Sequence, residues 1–365
     1  MLCNARIRWY PGVLALLLSW GGMVLPQDTG AACPVQATEI GKEGPFVVRL
    51  LPDCTQAERE ARAVSGAAIM EAVTKGRAVD LVGVIVRGGL SFDDLAVQTA
   101  RSVGRTASEE QPGVSQPGVE ERRLVREAVT IRDSVVSGAV RHRSAKGRLQ
   151  FEGPVDLRGT VFKEGVDLSR SVFLGSVALS GATFEKEAYF IQSQFSQALA
   201  CDGAKFGPHT RFHRSTFRGP VDCSDALFDG LAELLEVNFE QSVTFERARF
   251  GLSSGFSGSR FKRRGRFDEA IFSRDAFFGF TVFEGEVSFA GSQFLGKADF
   301  SDAEFSKPDD LAKARFDQPP LLTRTRRVAE SPPTEFVNSP AAQFALTVLC
   351  LIAAAMLVGY ALRLK

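Results

Sequence analysis

A bulky apolar residue recurs along this chain after alternating steps of six and five residues, from Phe151 to Phe316, an eleven-residue period held fifteen times over. The series begins Phe151, Leu157, Phe162, Leu168, Phe173, Leu179, Phe184, Phe190 and ends Phe294, Phe300, Phe305, Leu311, Phe316. Two residues before most of these centres stands a small or β-branched side chain, as in Ala182-Thr183-Phe184 and Val243-Thr244-Phe245. Side chains two apart on a strand share one face, so each repeat is a very short strand with both apolar groups turned inward. An eleven-residue period also suits a right-handed helical supercoil. Composition excludes that reading: Gly165, Gly175, Gly203, Gly219, Gly255, Gly265, Gly285 and Gly296 interrupt the run, and Phe at this density favours strand over helix.

Short strands joined by corners bury an apolar face only if the chain winds about an axis and stacks each turn on the last, which makes an all-β solenoid. Repetition this regular argues against a one-site enzyme. The pattern resembles the pentapeptide-repeat family, whose repeat carries a small residue at i−2 and Leu or Phe at the centre. The resemblance implies a right-handed, four-sided parallel β-helix. The family step is five residues, whereas here every second step is six, so two of four corners should carry an extra residue and a coil should take about 22 residues. On that register Phe162, Phe184, Phe206 and their successors form one all-Phe column and Phe151, Phe173, Phe195 and theirs a second. The other two columns mix Leu, Phe and Cys, with Cys201 directly below Cys223. The run makes about 7.5 turns, a rod near 36 Å long at roughly 4.8 Å per turn.

The flanks divide further. Residues 1–32 read as a secretory signal: Arg6 and Arg8, an apolar stretch over 13–17 and 20–25, then Gly30, Ala31 and Ala32. A lipoprotein reading at Cys33 is weaker because Gly30 stands where Leu is usual, and an uncleaved signal anchor still exports the rest of the chain. Residues 33–78 form a small helical cap, with a capping box at Thr55 and Glu58 and an Ala-rich stretch ending at Gly76. The β-helix then runs over 79–316, interrupted by a polar loop over about 98–121. Residues 317–340 hold Pro319, Pro320, Pro332, Pro333 and Pro340 and read as a semi-extended linker. Residues 341–362 are apolar over a bilayer-spanning length and are followed by the basic tail 363–365, which predicts a transmembrane helix with the rod on the exported, periplasmic or extracellular side.

A formal net charge of +1, from 44 basic and 43 acidic residues, gives neither a nucleic-acid footprint nor an acidic mimic of one. Some pentapeptide-repeat proteins inhibit topoisomerases through a DNA-like acidic face, a reading that this balance and the export signal disfavour. Cys33 and Cys54 lie in the exported cap, where a disulfide is expected. Cys201 and Cys223 point inward, and buried free thiols are the expectation there. No catalytic residue, cofactor site or metal site is expected. His209 and His213 flank the centre Phe212 and should be solvated corner residues, His142 has no evident partner, and Asp93-Asp94, Asp268-Glu269 and Asp309-Asp310 should be solvated corner acids. The densest charge cluster, Arg260, Lys262, Arg263, Arg264 and Arg266, should fall on one corner and its adjoining faces, where it could meet an acidic protein face or an anionic envelope polymer or lipid headgroup. The expectation is therefore a membrane-anchored scaffold or protein-interaction module without catalysis. The alternative is an envelope polysaccharide binder or modifier with a site along one face.

Overall fold

The computed structural model describes residue 33 and residues 35–37, 44–101, 119–143 and 147–328. Forty-one short strands fall into four sheets, A and B of eleven strands, C of nine and D of ten, so the chain makes about ten coils. Apart from two hairpins at the N-terminal end every pairing among the described residues is parallel, and from Leu149 onward paired residues stand 22 positions apart, as in Phe162 with Phe184 and Phe151 with Phe173. Sheet B carries the first all-Phe column and sheet D the second. Stacked rings in sheet B lie 4.5–5.1 Å apart and nearly parallel, from Phe162–Phe184 up to Phe294–Phe316. From Phe245 to Phe300 the columns of sheets A and C are also Phe, and their rings meet across the axis edge to face, as Phe267 does with Phe278 at 5.6 Å and 89°. The interior is thus filled by rings in both favourable aromatic geometries.

The two corner lengths have different structures. Within a five-residue step the chain closes a four-residue turn with the third residue at positive φ, as in Leu179-Ser180-Gly181-Ala182, where Ala182 N–H donates to Leu179 C=O. That is type II geometry, which favours glycine at the third position. Six-residue steps carry the extra residue, often a glycine such as Gly219 or Gly285, where an added Cβ would lie 2.3 Å from backbone atoms of the coil below. The turns leading into sheet D add a second device. Ser215 Oγ accepts from Ser193 N–H at 3.0 Å and donates to Phe190 C=O at 2.6 Å, so a buried hydroxyl from one coil closes the turn of the coil beneath. Ser193 and Ser259 do the same. Where the coil above has Val237, the turn below closes directly, Ser215 N–H to Phe212 C=O.

Both ends depart from expectation. Residues 33–78 do not sit apart from the solenoid: Phe46–Leu50 joins sheet A and Val64–Ser65 joins sheet B. Helix α1 (Gln56–Ala61), with the expected Thr55–Glu58 capping box, and helix α2 (Gly66–Thr74) are inserted into that first coil. Ile69, Ala72 and Val73 of α2 are buried and the helix packs against the strand Leu90–Ser91, covering an edge that could pair with another chain. The predicted loop is a hairpin at its base: Gln98–Arg101 pairs antiparallel with Val119–Val125, and residues 102–118 lie outside the described residues. Beyond Phe316 the chain does not leave as a linker. It makes one more partial coil despite Pro319 and Pro320, with bridges Asp299 to Leu321 and Glu304 to Arg326. Asp309, expected at a solvated corner, takes the inward place above Val287, and Arg327 binds its buried carboxylate with both Nε (2.6 Å) and Nη2 (2.5 Å). This ion pair closes the end of the aromatic core. The predicted signal (1–32), the later linker (329–340), the spanning segment (341–362) and the tail (363–365) lie outside the described residues. Among the described residues no helix is long and apolar enough to cross a membrane.

Candidate interaction faces

The basic cluster falls where expected. Arg260 leaves sheet D, Lys262, Arg263 and Arg264 form the corner after it, and Arg266 points outward from sheet A. Most of its charge is already balanced. Arg260 pairs with Glu284 at 2.5 Å, Lys262 with Glu240 at 3.5 Å, Arg264 with Glu286 at 3.6 Å, and Arg266 with Glu246 at 2.9 Å and Asp268 at 2.8 Å. Arg263 has no carboxylate partner among the described residues, and Arg264, largely exposed and loosely paired, is the next most available.

The same balancing recurs over the outer surface. Residues 22 apart stand one above the other, and many such pairs are opposite charges: Arg214 with Glu236, Arg247 with Asp225, Arg324 with Asp302, Lys163 with Glu185. Hydrogen bonds from Arg214, Arg247 and Arg324 hold the carboxyls of Glu236, Asp225 and Asp302 below the usual carboxylate range. These groups are exposed, so the pairs set register and surface charge more than stability.

Sheet C differs from the other faces. Tyr189, His209, Arg211 and Glu233 form a network there: Tyr189 Oη lies 3.3 Å from His209 Nδ1, His209 Nε2 lies 3.0 Å from Glu233 Oε2, Arg211 also donates to Glu233, and its guanidinium sits 5.4 Å above the Tyr189 ring. Burial works to raise the Glu233 pKa, but the hydrogen bonds from His209 and Arg211 outweigh it and hold the group below its ordinary value. His209 is therefore not a bare corner residue, a correction explained by its place on a strand (His209–Arg211) with Thr210 inward. His213 lies 3.8 Å from Glu236, a contact closer to the expected surface role. His142 is buried beside Asp93, not partnerless. Asp268 accepts from Arg266 and Ser288, so this acid too is engaged. Phe277 points outward from sheet C and Phe280, 66 % exposed, occupies the next turn at φ 57°. With Tyr189 they are the described aromatic side chains that stand outside the inward columns, and all three lie on this face or its edge. Their signal was in the sequence, as three aromatics out of phase with the repeat.

Cys33 and Cys54 are joined by a disulfide. Cys201 and Cys223 are joined as well, against the expectation of free thiols: stacked at 22-residue separation with Cα atoms 4.6 Å apart, they meet the distance a bridge requires. A shallow depression of about 340 Å³ runs over sheet A, floored by Ala198, Ala200, Ser242 and Thr244 and bounded by Arg264 and Arg266. Among the described residues no group of three or more His, Cys, Asp or Glu is placed to hold a metal ion.

The coil register decides the relationship. The family model for pentapeptide repeats, nine copies long, matches residues 149–194, 168–216, 224–271 and 267–315. Residues 149–315 form a pentapeptide-repeat domain. Neither the curated proteins nor the solved structures contain a match to the chain. Pentapeptide-repeat solenoids are generally non-catalytic scaffolds, and the faces described above are what such a scaffold offers to a partner.

Proposed function

We propose that the chain is an exported, membrane-anchored pentapeptide-repeat scaffold that docks a protein or an anionic envelope component on its outer faces and carries out no chemistry itself. The filled interior carries this reading: rings, leucines and smaller apolar side chains fill the inward columns, so recognition falls to the corners and flat faces. The docking element is the corner from Lys262 to Arg264, where Arg263 has no carboxylate partner among the described residues and Arg264 is loosely paired. Export rests on residues 1–32 and on the two disulfides, which persist in oxidising compartments. Anchoring rests on residues 341–362. Topology reporters fused after Lys365 and within residues 102–118 should report opposite compartments, and activity of both on one side defeats the anchored reading. Crosslinking from membranes should recover a partner that Arg263→Glu with Arg264→Glu loses and that a charge reversal at Lys205 on sheet B keeps.

A second reading is a polysaccharide-binding face along sheet C, favoured by its three outward aromatics, since rings stack on sugar faces. Retention on envelope polysaccharide columns, lost with Phe277→Ala and Phe280→Ala, would support it over the first.

A further inference from the structure

His142 is the described histidine sealed inside the solenoid: its side chain is fully buried, whereas those of His209 and His213 are partly exposed. The register Val140 to Val166 and Arg141 to Asp167 continues to His142 and Leu168, so an imidazole occupies a column position that the next coil fills with leucine. Its Nδ1 lies 3.2 Å from Asp93 Oδ1, and the Gly147 backbone is the other polar group close enough to favour its charged form, so the sealed ring is thinly served by hydrogen bonds. Asp93 also accepts from Arg143 N–H, at 3.0 and 3.1 Å. The charged groups that face the ring come from three elements. Asp93 belongs to the single turn Phe92–Asp94. Arg123 belongs to the strand Val119–Val125, is itself buried and donates to Leu95 C=O. Arg170 comes just after the strand Val166–Asp167. On its own strand, Arg141 and Arg143 are exposed. Burial is the largest influence on the ring and lowers its proton affinity, Arg170 and Arg123 add to that, and Asp93 opposes them.

We infer that His142 makes the first full coil acid-labile: its sealed ring takes up a proton readily only when water reaches it, so proton uptake favours the form in which residues 90–95 and the strand Val119–Val125, which hold Asp93 and Arg123 against it, have left the rod. Once those segments leave, the exposed His142 ring takes up a proton near pH 6.5, about its unperturbed value, while the buried ring resists until lower pH. The closed form therefore keeps its full stability above about pH 6.5 and loses it as pH falls below that, by up to tenfold in the opening constant per pH unit for one proton. The response stays local, because the inward positions from Val155 to Phe305 hold no ionisable side chain other than the bridged cysteines.

Hydrogen exchange on the purified full chain between pH 7.5 and 5.5, corrected for the intrinsic pH dependence of exchange, tests this. Amides of residues 90–95 and 121–125 should open up to tenfold faster per pH unit below about pH 6.5, while those of residues 184–283 keep constant protection. His142→Leu, which matches Leu168, should abolish the response, and His142→Gln should do so if the leucine variant disturbs the coil, with residues 184–283 reporting in each that the rod is folded. A flat response in the wild-type chain, or an acid response that persists unchanged in both variants, overturns the inference.

Discussion

Phe267 offers the most exacting test of what holds the rod together. Its side chain is fully buried and touches six other rings: Phe245 at 5.3 Å and Phe289 at 5.0 Å in stacks, Phe256, Phe278 and Phe261 edge-on at 5.5, 5.6 and 5.9 Å, and Phe272 tilted at 6.4 Å. Phe→Ala in a core costs about 3–5 kcal/mol, the larger values where the site cannot collapse. Phe245 and Phe289 are each held by the hydrogen-bonded ladder of their own coils, so neither can sink into the space, and the loss should fall at about 4–5 kcal/mol. Phe316 provides the control. It is only half-buried at the last full rung and stacks on Phe294 alone at 4.8 Å, so its replacement by alanine should cost about 1–2 kcal/mol. Guanidinium unfolding followed by circular dichroism gives both values, with the slope monitored because stacked repeats can lose all-or-none cooperativity. Equal losses at Phe267 and Phe316, or a larger one at Phe316, would show that the ring columns are not the source of stability.

The ends, the cysteines and the odd turn each carry a further expected outcome. Arg327→Ala leaves the buried Asp309 carboxylate unpaired and should destabilise the C-terminal coil by about 1–3 kcal/mol, a value discounted for the partly exposed arginine and recovered in part by adding Asp309→Asn; exchange of the Phe300 and Phe305 amides measures it. Alkylation of the denatured, unreduced chain should leave Cys33, Cys54, Cys201 and Cys223 unlabelled, and Cys33→Ser with Cys54→Ser should cost about 3 kcal/mol for loss of a 21-residue closure, whereas ready labelling of Cys201 would return that pair to free thiols. Phe280→Gly should raise stability by about 0.5–1 kcal/mol, since glycine takes positive φ without the clash that a bulky side chain meets there; a clear loss would mean that the exposed ring packs on its own rod.

How far the sequence discloses this molecule depends on whether a residue obeys the repeat. Column membership from Phe151 to Phe316 could be counted directly, because burial at every second position of very short strands leaves a fixed period, and the glycines within it exclude the helical alternative. Where the chain keeps the geometry but changes the chemistry, counting misleads. Asp309 and Arg327 are inward residues at the right spacing, yet their charge and the prolines at 319 and 320 read as corner and linker. His142 was opaque for the same reason, its partner Asp93 lying 49 positions away across an irregular coil. The insertion of α1 and α2 into the first coil was hidden because Phe46–Leu50 and Val64–Ser65 are separated by helix and lack the even step. The cysteine pair shows the limit of residue preference: a buried cysteine is usually an inert small hydrophobe, and only the stacking of one directly above another makes it half of a bridge. The basic corner could be placed from the sequence but not its neutralisation, which comes, Asp268 apart, from carboxylates 20 to 24 residues away.

The hydroxyls that close the turns beneath them also govern how such a chain can lengthen. Because corner types recur every eleven residues, the backbone alone would tolerate a duplication of half a coil, which would exchange sheet B with sheet D. The side chains would not. Sheet B carries Ala182, Ala204, Ala226, Ala248 and Ala270 where sheet D carries Ser171, Ser193, Ser215, Val237 and Ser259, and a half-coil insertion would set alanines over turns that wait for a hydroxyl and bury serines over turns already closed. Gain or loss of a whole 22-residue coil keeps each of these side chains in its own sheet, so a gene segment of that size is the unit of length change that disturbs the turns between Ser171 and Ala270 least.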